Sequence, residues 1–251
     1  MYDGERTHKF AHCNNTAISE DLGQIEYVLS DKTGTLTNNE MVYKCAALPS
    51  GENDVLVFSG GLVDPKSELR QFVENEAVAA NDGTAGPVLH SYLCNLLLNS
   101  SVLPEALDAP DKYGVPMKFH AASPDEEALV RAAWQCGYKL LARQNDLVTV
   151  EIRGAQQKWL ILAEMEFNSD RKRMSVLCVR ADAQGRRLAD SPVLLLCKGA
   201  DDMVGARLCQ ADANRRAGVQ EHVDEFAASG LRTLMYGGRS LTPQQADDVL
   251  E

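Results

Sequence analysis

A carboxylate, an ammonium group and three hydroxyls crowd into seven residues, Asp31-Lys32-Thr33-Gly34-Thr35-Leu36-Thr37, directly after the apolar Tyr27-Val28-Leu29. This is chemistry for an anionic ligand. The Asp31 carboxylate can serve as a metal ligand, a base or a nucleophile. Lys32 supplies positive charge beside it. Gly34 is free to take any backbone angle, so the amides from Thr33 to Thr35 can face a phosphate as an amide nest does. The competing account is a surface turn in which Asp and Gly only serve turn geometry.

Four further stretches carry a second chemistry. "SPDEEALV" places Glu126 at a helix start, and "MEFNSDRKRMSV" places Phe167 at a strand end, followed by Ser169, Asp170 and the basic triplet Arg171-Lys172-Arg173. "LCKGAD" ends an apolar run on Lys198, and "GLRTL" puts Arg232 after a glycine, in what reads as a strand. An aromatic face for a base, with lysines and an arginine for phosphates, is what an adenine nucleotide requires. Each residue also has a plainer account. Spacing alone favours Glu126 as the acid that closes a capping box on Ser123. Phe167 can be core, and the basic triplet a solvated face. Lys198 is hardest to dismiss, since a charge there takes a good strand position. No Gly-x-x-x-x-Gly-Lys or Gly-x-Gly-x-x-Gly loop accompanies them, so no common nucleotide fold is indicated.

The elements that must position these residues follow from periodicity. Gln24–Ser30 is short, apolar and β-branched, the pattern of a strand in a parallel sheet whose carboxyl edge would present Asp31. Lys66–Ala80 and Leu89–Asn99 have helical spacing, the first ended by Asn81-Asp82-Gly83. Ser123 caps a helix with Pro124 in its first turn and Gly137 at its end. Strands are expected over Leu147–Arg153, Lys158–Phe167, Met174–Ala181 and Val193–Cys197, joined by turns at Arg153-Gly154 and Ala183-Gln184-Gly185, an antiparallel meander. A polar helix over Asn214–Ala228, a strand over Leu231–Tyr236 and a helix opening at Thr242-Pro243 complete the chain.

Composition removes several function classes. At 251 residues and a net charge of −11, the chain is not a nonspecific nucleic-acid binder. No stretch approaches membrane-span length, and the polar start "MYDGERTHKF" is no signal peptide. Seven scattered cysteines without a Cys-x-x-Cys pair suit reduced thiols in the cytosol.

Asp31 to Thr37 is identical to the phosphorylation motif of P-type ATPases, relatives of the haloacid-dehalogenase-like phosphatases. Those phosphatases usually carry a second acid two residues after the nucleophile, where this chain has Thr33. "SPDEEALV", "EFNSDRKRMSV", "CKGAD" and "GLRTL" resemble the nucleotide-binding domain of the same family, in the family's order. Met1-Tyr2 and Glu20-Asp21-Leu22-Gly23-Gln24 resemble the type IV, phospholipid-flipping subclass. The resemblance implies an α+β fold, an antiparallel sheet flanked by helices, with one strand and loop of an α/β phosphorylation domain ahead of it. Residues 1–44 would be a stalk linker and the start of that domain, and 45–251 the nucleotide-binding domain with the beginning of the return to the phosphorylation domain.

Carried over by motif, Asp31 is the phosphorylated residue, with Lys32 and Thr33 beside the transferred phosphate. The resemblance implies that magnesium would be held by Asp31 and by the Thr33 carbonyl. Glu126, Phe167, Ser169, Lys172, Lys198 and Arg232 hold ATP, with Phe167 stacked on adenine. The implied parent is a multi-pass membrane pump in which this piece is a soluble cytosolic loop. Its partners would be ATP, phospholipid, the remaining domains and an accessory membrane subunit. The actuator loop, the membrane helices and the downstream Thr-Gly-Asp and Gly-Asp-Gly motifs do not occur in the chain, so the fragment is expected to bind nucleotide with little or no turnover. The alternatives are a stand-alone haloacid-dehalogenase-type phosphatase and a non-catalytic nucleotide-binding module. Two departures from the flippase pattern stand out: a long Ala181–Val193 segment and the glycine-bearing "MYGGRSL" after "GLRTL".

Overall fold

Short strands joined by tight turns pair most readily with their neighbours in sequence, and the sheet of this protein is built that way. The computed structural model describes residues 2–3, 9–10, 23–50, 54–59, 68–79, 86–189, 191–210 and 213–250. The chain divides into two compact units, Met1–Glu40 and Met41–Glu251.

The first unit contains β1 (Tyr2–Asp3) and β2 (Lys9–Phe10), an antiparallel pair, and the Asp31 loop. The strand expected over Gln24–Ser30 does not form. Residues 25–30 are irregular, and Tyr27, Val28 and Leu29 are exposed. A strand needs a neighbour to take up its N–H and C=O groups, and no described strand pairs with this segment. Met1 and Glu20–Leu22, which carry part of the resemblance, lie outside the described residues, as does the Asn81–Gly83 turn.

The second unit opens with a hairpin, β3 (Ala46–Pro49) and β4 (Val55–Phe58), and α1 (Glu68–Ala79). Then follow α2 (Pro87–Leu98), the hairpin β5 (Leu103–Ala106) and β6 (Met117–His120), and α3 (Pro124–Gln135). The main sheet comprises β7 (Tyr138–Gln144), β8 (Leu147–Ile152), β9 (Ala155–Met165), β10 (Arg173–Ala181), β11 (Val193–Gly199) and β12 (Met235–Leu241). Between β11 and β12 lie α4 (Asp201–Gly205) and α5 (Ala213–Ala228), and α6 (Pro243–Leu250) closes the unit. The six strands run in chain order and every adjacent pair is antiparallel, the meander the turns imply. Arg153 and Gly154 both have positive φ, 51° and 90°, as a two-residue type I′ hairpin requires. The sequence reading passed over β7 and the β5–β6 hairpin.

Both faces of the sheet are covered, which is why β10 is buried along most of its length. On one face Met174, Val176, Cys178 and Leu196 join Leu89, Leu93, Leu96 and Leu97 of α2 and Val130, Ala132 and Ala133 of α3. On the other, Leu177, Val179 and Val193 pack with Leu241 and with Ala246 of α6. The glycines of "MYGGRSL" have a packing cause: a Cβ at Gly237 would lie 3.3 Å from Leu208 Cδ2, and one at Gly238 3.4 Å from Leu196 Cδ2. The expected strand over Leu231–Tyr236 begins only at Met235. Gly230 (φ 79°) ends α5, and residues 231–234 span the distance to the sheet, so Arg232 lies ahead of β12 and not within a strand.

Candidate functional site

Glu126 is placed by the start of α3. Ser123 is extended, and its Oγ accepts from Asp125 N at 3.2 Å, with Pro124 in the first turn. Three acids in that turn, Asp125, Glu126 and Glu127, suit the positive end of the helix. The capping box expected from spacing is not closed by Glu126, whose carboxylate is engaged elsewhere. Its Oε1 accepts from Lys198 Nζ at 2.8 Å, and its Oε2 accepts from Ser101 Oγ at 2.5 Å and Ser101 N at 3.3 Å. The pair joins α3 to the end of β11, with both side chains almost buried, 11% and 8% exposed. Burial pushes the Glu126 carboxyl upward, but Lys198 and then Ser101 outweigh it and hold the group below the usual glutamate range. Burial pulls the Lys198 ammonium below the usual lysine range, against the attraction of Glu126.

Two more charges stand behind this pair. Arg143 of β7 and Glu164 of β9 approach to 4.0 Å, and Arg143 Nη2 donates to Leu98 O at 3.4 Å. Arg143 Nε is buried without a hydrogen-bond partner. Burial raises the Glu164 carboxyl despite Arg143, and burial lowers the Arg143 guanidinium despite Glu164 and Glu126.

The rim of the site is the 166–172 turn between β9 and β10. Lys172 has φ 47° and donates its N–H to Asn168 O at 2.8 Å, while Asn168 Oδ1 accepts from Arg171 N at 2.7 Å. Lys172 O accepts from Ala200 N at 3.0 Å, tying the turn to the residues after Lys198. Gly199 makes this approach possible, since a Cβ there would sit 2.4 Å from Lys172 O. Phe167 and Ser169 are exposed, Phe167 by 61%, so its ring is open to a planar ligand. Arg232 reaches across to Asp125, Nη1 to Oδ2 at 2.5 Å. Glu126, Lys198, Lys172 and Arg232 are thus linked through α3 and the ends of β10 and β11. Ser101, Asp125, Arg143 and Glu164 belong to the same assembly and were not singled out from the sequence. Only Asp125, inside "SPDEE", carried a usable signal there.

Asp31, Lys32 and Thr33 lie in the first unit, in an exposed loop. Thr33 N donates to Asp31 Oδ1 at 3.3 Å, and Gly34 N to Thr37 Oγ1 at 3.4 Å. Lys32 O accepts from Leu36 N and Thr37 N at 3.0 and 3.1 Å, and Gly34 has φ 81°. Two of the three amides expected to face a phosphate are therefore engaged inside the loop. Among the described residues no cluster of three His, Cys, Asp or Glu is arranged to hold a metal.

Residues 90–250 match the family described as P-type ATPase, cytoplasmic domain N, and the chain belongs to that family. Its relatives carry a narrower description. It is 34% identical over 248 residues to the phospholipid-transporting ATPase FetA of Mus musculus, covering 92% of this chain and 20% of that protein. The corresponding figures are 35% over 272 residues, 90% and 16%, for the phospholipid-transporting ATPase DNF2 of Saccharomyces cerevisiae. They are 32% over 259 residues, 96% and 20%, for the phospholipid-transporting ATPase ID of Homo sapiens. The chain thus spans at most about a fifth of the length of the curated relatives it matches.

Proposed function

We propose that this chain is the ATP-binding segment of a phospholipid-transporting P-type ATPase, with residues 45–251 as the nucleotide-binding domain and 1–44 leading into the phosphorylation domain. One observation carries the reading. A nearly buried Glu126–Lys198 pair, drawn from positions 72 apart in sequence, sits where Lys172, Arg232 and an exposed aromatic ring also gather. An ion pair costs desolvation energy that a hydrophobic pair would not, so a nearly buried one close to the turn that bears an exposed ring is read as serving a ligand rather than stability. Phe167 stacks on the base, Glu126 accepts from it, and Lys198, Lys172, Arg232 and the Ser169 hydroxyl serve the ribose and phosphates.

Asp31 is the acceptor of the γ-phosphoryl group, with Lys32 and Thr33 beside it. Magnesium usually takes one or two carboxylates and keeps water and substrate phosphate as its other ligands. Asp31 and the Thr33 carbonyl fit that role only together with a phosphate, since among the described residues no group of three His, Cys, Asp or Glu side chains is arranged to hold a metal. The metal would offset phosphoryl charge during transfer. Thr33, in place of an acid, leaves no second carboxylate to activate water. This suits a phosphoenzyme that persists while phospholipid moves between leaflets in a multi-pass parent, with the other domains and an accessory subunit as partners. No helix among the described residues is long and apolar enough to cross a membrane. The segment is read as a cytosolic loop of its parent, with little or no turnover alone.

ATP titrated into the 251-residue chain, followed by amide chemical shifts, is expected to bind in the high-micromolar to millimolar range, roughly −4 to −5 kcal/mol. Phe167→Ala is expected to weaken ATP, ADP and AMP alike, by about 1–3 kcal/mol as for other base–aromatic stacks. No shifts at several millimolar ATP would refute the reading, and a loss confined to ATP would move Phe167 away from the base. In the full-length parent, label from radioactive ATP should survive an acid quench, be released by hydroxylamine and map to Asp31; label elsewhere removes Asp31 from the mechanism.

A further inference from the structure

The inward face of α2 is mostly leucine, yet its last turn buries two asparagines. Asn95 and Asn99 are 3% and 0% exposed. Asn95 Nδ2 donates to Cys197 O at 3.3 Å and to Gly237 O at 3.1 Å. Asn99 Nδ2 donates to Asn95 Oδ1 at 3.0 Å and to Met174 O at 3.5 Å. Cys197 precedes Lys198, and Met174 faces Lys198 across the β10–β11 ladder. Three neighbouring strands are therefore pinned around the single rung that bears Lys198. Two residues beyond Asn99, the N–H and hydroxyl of Ser101 converge on Glu126 Oε2. One turn of chain thus holds the supports of both members of the ion pair.

Packing does not require this. An apolar helix can lie on a sheet through leucines alone, and buried amides cost free energy wherever a polar atom goes unmatched. Asn99 Oδ1 is such an atom, buried with no partner.

We infer that Asn95, Asn99 and Ser101 are positioning residues of the nucleotide pocket: they set the distance and orientation of Glu126 relative to Lys198, so that both meet the ligand already aligned. This rests on the nucleotide reading of the site. Ser101 is exposed, so its truncation is expected to leave the fold intact. In Ser101→Ala the titration midpoint of the Glu126 carboxylate, read by carboxylate-carbon NMR without nucleotide, should rise, because one of the groups holding it down is gone. Lys198, Arg143, Glu164 and Asp125 are the other charges around it and are unchanged. ATP affinity should fall roughly three- to tenfold, the size of one ordinary net hydrogen-bond contribution passed on through Glu126. Ser101→Thr should restore both.

Asn99→Leu keeps the branched outline of the side chain and removes the unmatched oxygen, but leaves Asn95 Oδ1 without its donor; the melting temperature should change little while ATP affinity falls. A purely structural role would not produce that split. If Asn99→Leu does not fold, Asn99→Ala provides the same affinity comparison. An unmoved Glu126 midpoint and wild-type affinity in Ser101→Ala, or wild-type affinity in the Asn99 variant, overturns the inference. Failure of the unsubstituted chain to bind ATP would instead overturn the nucleotide reading, since the midpoint is measured without ligand.

Discussion

Lys198→Met is expected to destabilise the protein by about 3–5 kcal/mol, the usual cost of stranding one member of a buried ion pair. Lys198 Nζ is 2.8 Å from Glu126 Oε1, and both side chains are nearly buried. Without the ammonium, Glu126 keeps the Ser101 hydrogen bonds and the more distant Arg143, and burial is then expected to dominate and raise its pKa above the ordinary glutamate value. The sign of the pH dependence follows. In the unsubstituted chain the folded-state pKa of Glu126 is depressed below 4.5, so its contribution to stability is present above that pH and is lost as pH falls through the folded value. In Lys198→Met the folded value is raised, so the deficit is largest at neutral pH and shrinks on acidification as Glu126 takes up a proton. Glu164, itself raised by burial, is also held down by Lys198, so loss of the ammonium raises it further and adds to the deficit in the same direction.

The double substitution Glu126→Gln/Lys198→Met should regain most of that loss, because a neutral pair of similar volume commonly matches or exceeds a buried ion pair in stability. Nucleotide binding should not return with it. Urea denaturation of the three proteins at pH 7 and at pH 4, with ATP titrations at pH 7, measures both. A Lys198→Met protein that loses less than about 1 kcal/mol would mean the pair is solvated. A double variant that binds ATP normally would place the ligand elsewhere.

The meander was legible in the sequence because its turns announce themselves. Arg153-Gly154 and Gly137 demand positive φ, and Ser123-Pro124 fixes a helix start, so the strands between them had few alternatives. β7 was harder to see: Lys139 and Arg143 interrupt its apolar run, and only tertiary contacts with α3 and Glu164 show why they are there. The Gln24–Ser30 segment misled for the opposite reason. Its residues have every local property of a buried strand, but strand formation needs partners that local pattern does not reveal. Arg232 lies ahead of β12 and not within a strand, and nothing in "GLRTL" says how many residues the descent from α5 to the sheet consumes. Of the site, the charged residues inside compact motifs were visible singly. Ser101, Asn95 and Asn99 were not, because their significance is a set of hydrogen bonds to residues far away in the chain.

Gly199→Ala is expected to cost about 3 kcal/mol, at the upper end of overpacking effects, and to weaken ATP binding beyond what that loss explains. The new Cβ would lie 2.4 Å from Lys172 O, 2.6 Å from Arg173 Cβ and 2.7 Å from Arg173 Cα. Two of those atoms are backbone, so no rotamer change relieves the overlap. The strands must separate where Gly199 faces Arg173, and the bond from Ala200 N to Lys172 O is the first to go. That bond ties the 166–172 turn, with Phe167 and Lys172, to the end of the strand bearing Lys198.

Leu241→Ala is the matched control. Leu241 is buried in the opposite core and pairs with Val193, six residues before Gly199 on β11, roughly 20 Å away at the rise of a strand. It should cost about 2–5 kcal/mol, as other Leu→Ala core truncations do. Its ATP affinity should stay at the unsubstituted value when measured well below both melting temperatures. Equal affinities in the two variants would show that the Gly199 contact serves stability alone. Selective loss in Gly199→Ala would mean that the close approach of β10 and β11 is what holds the aromatic ring and the cations on one ligand.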